Sequence, residues 1–145
     1  MYHVYLRWPA TYCALAIVML GNLGCGSGSN LQKVSGKVTV DGTPLAKGSV
    51  RFIPDKTRGN TAGVEPVAQI AADGTYTLAT NGKSGAPLGW YKVSLDATEV
   101  ADSARAKQAK LLISPRFHSP ETTPLSVEVI SSPEAGAYDL KASAR

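Results

Sequence analysis

From Val34 onward, apolar side chains fall at every second position, interrupted at short intervals by Asp-Gly pairs and prolines, and few folds accept such a chain. In "VSGKVTV", Val34, Val38 and Val40 share one face while Ser35, Lys37 and Thr39 share the other. Successive side chains of a strand point to opposite sides, so this segment reads as a strand with one face buried. Asp41-Gly42 then supplies a turn, Pro44 restricts the chain beside it, and alternation resumes in "GSVRFIP" with Val50 and Phe52 inward and Arg51 outward. The segment "PDKTRGNTAGVEP" is bracketed by prolines and carries two glycines, which predicts an exposed loop.

The same period continues along the chain. "VAQIAADGTYTLAT" predicts a strand, an Asp73-Gly74 hairpin turn and a second strand with Tyr76 and Leu78 inward. After the polar loop "NGKSGAPLG", the run "WYKVSLDA" places Tyr91, Val93 and Leu95 inward and Trp90, Lys92 and Ser94 outward. "PLSVEVI" aligns Leu125, Val127 and Val129, and "AYDLK" aligns Tyr138 and Leu140. Residues 98–112 break the pattern: they are rich in alanine, with Glu99 and Asp102 early and Arg105, Lys107 and Lys110 late. Acidic groups favour a helix N-terminus and basic groups its C-terminus, so this segment predicts a short helix, with a loop as the alternative. The expected architecture is all-β: a seven-stranded antiparallel β-sandwich with one short helix or loop insertion near 98–112. A length of 145 residues suits one domain, and 43% hydrophobic with 18% charged residues is the composition of a folded chain.

A different composition precedes the strands. Residues 1–13 carry one basic side chain, Arg7, and no acidic one, and they lead into an apolar run ending near Leu20. A spanning helix needs about 20 predominantly apolar residues, so the shorter run here predicts a secretory signal over residues 1–24. Gly24-Cys25 then resembles the lipobox of bacterial lipoproteins, in which a peptidase cuts before a cysteine that carries a diacylglyceryl group. The usual pattern has Leu three residues before the cysteine and a small residue two before it; Asn22 and Leu23 stand there. The resemblance makes Cys25 a lipidation site. A free thiol or an intermolecular disulfide is the other reading, because Cys13, the one further cysteine, lies inside the expected signal. The residues after it, "GSGSNLQ", have the composition of a flexible tether, so 25–32 is expected to link the anchor to a domain over 33–142.

The strands carry a second resemblance. "SGKVTVDGTPLAKGSVRFIP", "ADGTYTL" and "GAPLGWYKVSL" resemble the carboxypeptidase regulatory-like domain, a transthyretin-like sandwich. Its G-x-V strand, D-G-x-P-L turn, D-G-x-Y hairpin and G-x-Y-x-V strand fall here at Gly36 to Val38, Asp41 to Leu45, Asp73 to Tyr76 and Gly89 to Val93. The resemblance implies a transthyretin (prealbumin)-like fold and no catalytic zinc. Because its signature residues are turns and core positions, it implies little about a ligand.

Chemistry-bearing patterns are few. Metal-ligand spacings such as paired Cys or H-E-x-x-H are missing, and no metal or cofactor is expected. His118, beside Phe117 and near prolines, is expected to be a solvated or packing histidine. "NGKS" at Asn81 to Ser84 has the end of a phosphate loop without its upstream glycine and is expected to be a hairpin loop. Asp41, Asp55, Asp73 and Asp96 sit at turns or strand ends, where carboxylates cap backbone donors. Trp90 on the outward face, with the loop cations Lys56 and Arg58, is the candidate ligand-binding set, and Lys107 and Lys110 are candidates for contact with anionic lipid or glycan. A net charge of +4, spread without a dense basic block, argues against nucleic acid. The expectation is a protein without catalytic activity, held in the cell envelope at the outer membrane, with the bilayer as partner through Cys25 and envelope proteins or glycans as further partners. A secreted carbohydrate or small-ligand binding module is the alternative, and a transthyretin-like hydrolase a weaker one.

Overall fold

The computed structural model describes residues 30–99 and 110–145. The expected signal, Cys25, most of the tether, and the centre of the 98–112 insertion with Lys107 lie outside the described residues. Within them the protein is all-β and sandwich-like: two larger sheets enclose one apolar core, and the only helical turns are two of 3₁₀ type, at Lys56–Arg58 and Pro115–Phe117.

The first sheet is built around β1 (Ser35–Val40). Asp41 and Gly42 both take positive φ, 49° and 86°, which turns the chain tightly into β2 (Thr43–Pro44). β5 (Thr75–Thr77) pairs antiparallel with the first half of β1, and β12 (Leu140–Ala142) pairs with its second half in parallel register, Val38 opposite Leu140. The second sheet runs in the order β11 (Ser126–Val129), β8 (Gly89–Asp96), β3 (Ser49–Pro54), β4 (Val67–Gln69), β6 (Ala79–Thr80) and β7 (Lys83–Ser84). Its central pair, β3 with β8, is antiparallel from Ser49 opposite Asp96 to Pro54 opposite Tyr91.

Several expectations are corrected. The described residues hold twelve short strands where seven were expected, because turn-flanking pairs such as Lys83–Ser84 form ladder bonds too. The single strand expected after Gly74 is divided at Leu78, whose N–H donates to the Val34 carbonyl (2.9 Å) while its carbonyl accepts from Gly85 N–H (2.7 Å). One residue thus serves both sheets, and β5 and β6 on either side of it belong to different ones. The sheet around β1 is mixed, not purely antiparallel, since β12 joins it in parallel. The two ends of the expected 98–112 helix are strands, β9 (Thr98–Glu99) and β10 (Lys110–Leu111), paired antiparallel as a ribbon; the ladder bonds override the helix-favouring charge order at these ends. Ahead of β1, Gln32 forms an isolated bridge with Ala86, exchanging both backbone bonds at 2.8 and 2.9 Å.

The core draws on both sheets. Val34, Val38, Tyr76 and Leu140 meet Val50, Phe52, Leu78, Tyr91, Val93 and Leu95, all buried. The Phe52 ring lies 6.5 Å from Tyr76 and 5.6 Å from Tyr91, tilted on each, so one phenylalanine joins aromatic rings of the two layers. Tyr76 buries its hydroxyl as well and donates it to the Tyr138 carbonyl at 2.6 Å. Burial, and next the Asp139 charge, push the Tyr76 phenol well above its ordinary pKa of 10.0.

Removing that hydroxyl with Tyr76→Phe is expected to cost about 1–3 kcal/mol, because a buried carbonyl loses its donor. The pH dependence has a definite sign: the raised pKa contributes stability in full below 10.0, and it is lost as pH rises from there towards the folded-state value. Denaturant titrations across the alkaline range should therefore show a shallower loss for Tyr76→Phe than for the parent; equal slopes would contradict the buried, protonated phenol.

Candidate functional site

The segment after β3 is built by its own side chains. Asp55 Oδ1 accepts from Thr57 N–H (3.0 Å) and from the Thr57 hydroxyl (2.6 Å), which winds Lys56–Arg58 into a 3₁₀ turn. Gly59, at φ 81°, ends it, and Asn60 N–H returns to the Asp55 carbonyl at 3.1 Å. The Thr57 hydroxyl is the main reason the Asp55 carboxyl sits below the usual carboxylate range; burial opposes it, while the Thr57 amide, Lys92 and Arg58 reinforce it.

This loop is fastened to β8 at one point. The Trp90 carbonyl accepts from Asp55 N–H (2.9 Å) and from Asn60 Nδ2 (2.8 Å), and Asn60 Oδ1 in turn accepts from Ala62 N–H (3.0 Å). Asn60 is buried, and it reaches the strand because Gly89 has no side chain: a Cβ there would stand 3.0 Å from Asn60 Nδ2. Arg58 then folds over the indole, its guanidinium carbon 4.4 Å from the Trp90 ring centroid, while Nη1 donates to Ser126 Oγ (3.1 Å) and Nε lies 3.6 Å from Asp55 Oδ2. Trp90 is half-buried, and Arg58 occupies one face of its ring.

Of the three expected ligand-binding residues, Trp90 and Arg58 meet, and Lys56 does not join them. Arg58, Asn60, Thr61, Leu88, Trp90 and Glu128 line a surface recess of about 510 Å³, with Glu128 directly across the ladder from Trp90. Lys56 lines a different recess with Ile53, Pro54 and Glu65. The first recess offers a guanidinium, an indole edge, an apolar side chain and one carboxylate: surface for polar, partly apolar contact.

The remaining candidates have structural surroundings. Asn81 and Gly82 both take positive φ, 49° and 79°, and "NGKS" is the turn and second strand of the β6–β7 hairpin. Asp73 Oδ1 accepts from Thr75 N–H and hydroxyl, which hold its carboxyl below the usual range, and Asp41 Oδ2 accepts from Ala144 N–H. Asp96, exposed at the end of β8, lines a recess of about 360 Å³ with Ser49, Arg51, Glu65, Ser94 and His118. His118 follows the second 3₁₀ turn, and its Nε2 is enclosed without a hydrogen-bond partner. Lys110 stands in β10. Among the described residues no three His, Cys, Asp or Glu side chains gather in a metal-binding group.

Sequence reasoning passed over Asn60, Leu88 and Glu128. Glu128 could have been paired with Trp90 only by knowing the strand register, whereas a Gly-Asn following an Asp-capped turn gives a local signal for Asn60. No family model matches the chain, and no curated protein or solved structure matches it either.

Asn60, not Arg58, is expected to hold this loop. Asn60→Ala removes two hydrogen bonds at a buried site and should cost about 1–3 kcal/mol. Arg58→Ala removes an ion pair, a stacking contact and a hydrogen bond to Ser126, all from a side chain about half exposed, together about 1 kcal/mol. Chemical denaturation of the two variants gives the order directly, and a larger loss from Arg58→Ala would contradict it.

Proposed function

We propose that this chain is an envelope lipoprotein without catalytic activity, in which acylated Cys25 holds a transthyretin-like sandwich of the carboxypeptidase regulatory-like kind at the outer membrane as a structural or binding module. The observation that carries the reading is the Gly24-Cys25 pair closing an apolar run too short to span a bilayer and opening a Gly/Ser segment. The distance from that cysteine to the fold supports it: among the described residues the first backbone pairing, at Gln32, comes seven positions after Cys25, so the module is held close to its anchor. Two or more acyl chains give durable attachment where one gives a marginal one.

The display role is supported by how the polar side chains are used. Asp55 and Asp73 cap their own turns, Asn60 fastens a loop, and His118 packs beside a turn. The motif residues behind the family resemblance likewise sit where a sandwich uses them: Asp41-Gly42 in a turn, Tyr76, Tyr91 and Val93 in the core. The module presents loops around a rigid centre, and its partner chemistry is that of the envelope.

The test is the intact mass of the protein extracted in detergent from membranes, beside a Cys25→Ser control. The expected mass is that of residues 25–145 plus acyl chains, lost in the control. An unacylated mass in the parent protein would sink the anchor.

A further inference from the structure

We infer that the end of the sandwich at which the chain enters docks directly on the leaflet that holds the acyl chains, with Leu88 and Ile130 set into the headgroup layer. The inference rests on the anchor reading above and adds an oriented contact to it.

Three large apolar side chains are notably exposed among the described residues, and two of them stand at one end of the β11–β8 pair. Leu88 is 51% exposed and Ile130 42%. Val129 stands opposite Gly89 as the last pair of the β11–β8 ladder, and Leu88 shares a recess with Ser131, so Leu88 and Ile130 flank the same strand ends. Residues 30–32 line one recess of about 530 Å³ together with Lys83, Ser84, Leu88 and Ser131. The chain therefore enters the fold beside the exposed apolar pair, and the Gln32–Ala86 pairing fixes that entry.

Chain length makes this end face the membrane. Only Gly26, Ser27, Gly28 and Ser29 separate Cys25 from Asn30. Five residue steps reach at most about 18 Å fully extended and about 12 Å on average as a flexible chain. β1 starts near the entry and runs away from it for six residues, about 20 Å, to the turn at Asp41. The far end of the sandwich thus stands a strand length farther from the anchor than the entry does. Exposed apolar groups held this near an interface gain by leaving water, and each buried CH₂ contributes about 0.8 kcal/mol.

The flanking charges suit a phospholipid surface. Lys83 shares a recess with Leu88 on one side, and Arg58 shares one on the other. Lys83 is exposed and free to extend towards headgroup phosphates while the apolar pair inserts, and Arg58, held over Trp90, adds positive charge beside it. Two acidic groups stand at this end among the described residues: Glu128 in the Arg58 recess, and Glu134 in a recess it shares with Gln32 and Lys33.

The experiment uses the acylated protein reconstituted into vesicles of phosphatidylcholine with a minor fraction of phosphatidylglycerol, containing a headgroup spin-labelled lipid as quencher. Acylation blocks the Cys25 thiol, so a fluorophore can be placed on one new cysteine: Ser84→Cys at the entry end or Thr43→Cys at the far end, both exposed. The expected result is strong quenching at position 84 and little at 43. Adding Leu88→Glu and Ile130→Glu should reduce the quenching at 84 about twofold or more, because the apolar contact no longer holds the orientation. Equal quenching at 84 and 43 would overturn the docked orientation, and quenching at 84 that is unchanged by the two glutamates would show tethering without docking. Either result on protein of acylated mass leaves the anchor standing, whereas an unacylated mass overturns both.

Discussion

The Tyr138 carbonyl occupies a slot that the rest of the sandwich is arranged around. It accepts the buried Tyr76 hydroxyl at 2.6 Å and lies against Gly36 so closely that a Cβ on that residue would stand 2.2 Å from its oxygen. No side chain fits there, so Gly36 is the condition for the C-terminal segment to approach β1 at all. Once it does, Lys37 N–H finds Asp139 Oδ1 at 2.9 Å, and β12 continues alongside β1 in parallel register. The Tyr138 hydroxyl reaches the other way, accepting from Ile130 N–H and donating to the Ile130 carbonyl just beyond β11. One residue therefore links the edge of the larger sheet to the centre of the smaller one, across the loop that separates them in sequence.

Much of this architecture was legible and some was not, and the division follows the range of the forces involved. Asp41-Gly42 and Asn81-Gly82 form their turns because short polar side chains and glycine accept positive φ, a property local to two residues. Tyr91, Val93 and Leu95 are buried as alternation requires, and so are Val50 and Phe52. The split at Leu78 could not be read, since the side chain is inward on either sheet and only the backbone partners change. The parallel pairing of β12 depends on a segment about a hundred positions away, and the ribbon at Thr98–Glu99 on backbone bonds that the helix-like composition conceals. In the candidate site, Trp90 and Arg58 were visible as residue types, while their contact required the loop geometry set by Asp55 and Asn60.

The two ends of the sandwich differ in character. At the entry end Leu88 lines two recesses, one with residues 30–32 and Lys83 and one with Trp90 and Arg58, so apolar surface is exposed beside cations. The far end carries the Asp41-Gly42 turn, to which the C-terminal residues are tied through Asp41 and the Ala144 N–H.

The central claim is that absence of a side chain at position 36 lets the two sheets close. Equilibrium unfolding of Gly36→Ala beside Gly63→Ala tests it most directly, since Gly63 lies in an exposed loop with open space around its Cβ position. The account predicts a loss of about 3 kcal/mol or more for Gly36→Ala, from the backbone clash and the displaced Tyr76 hydrogen bond, and a change within about 1 kcal/mol for Gly63→Ala. Equal stability of the two variants would contradict it.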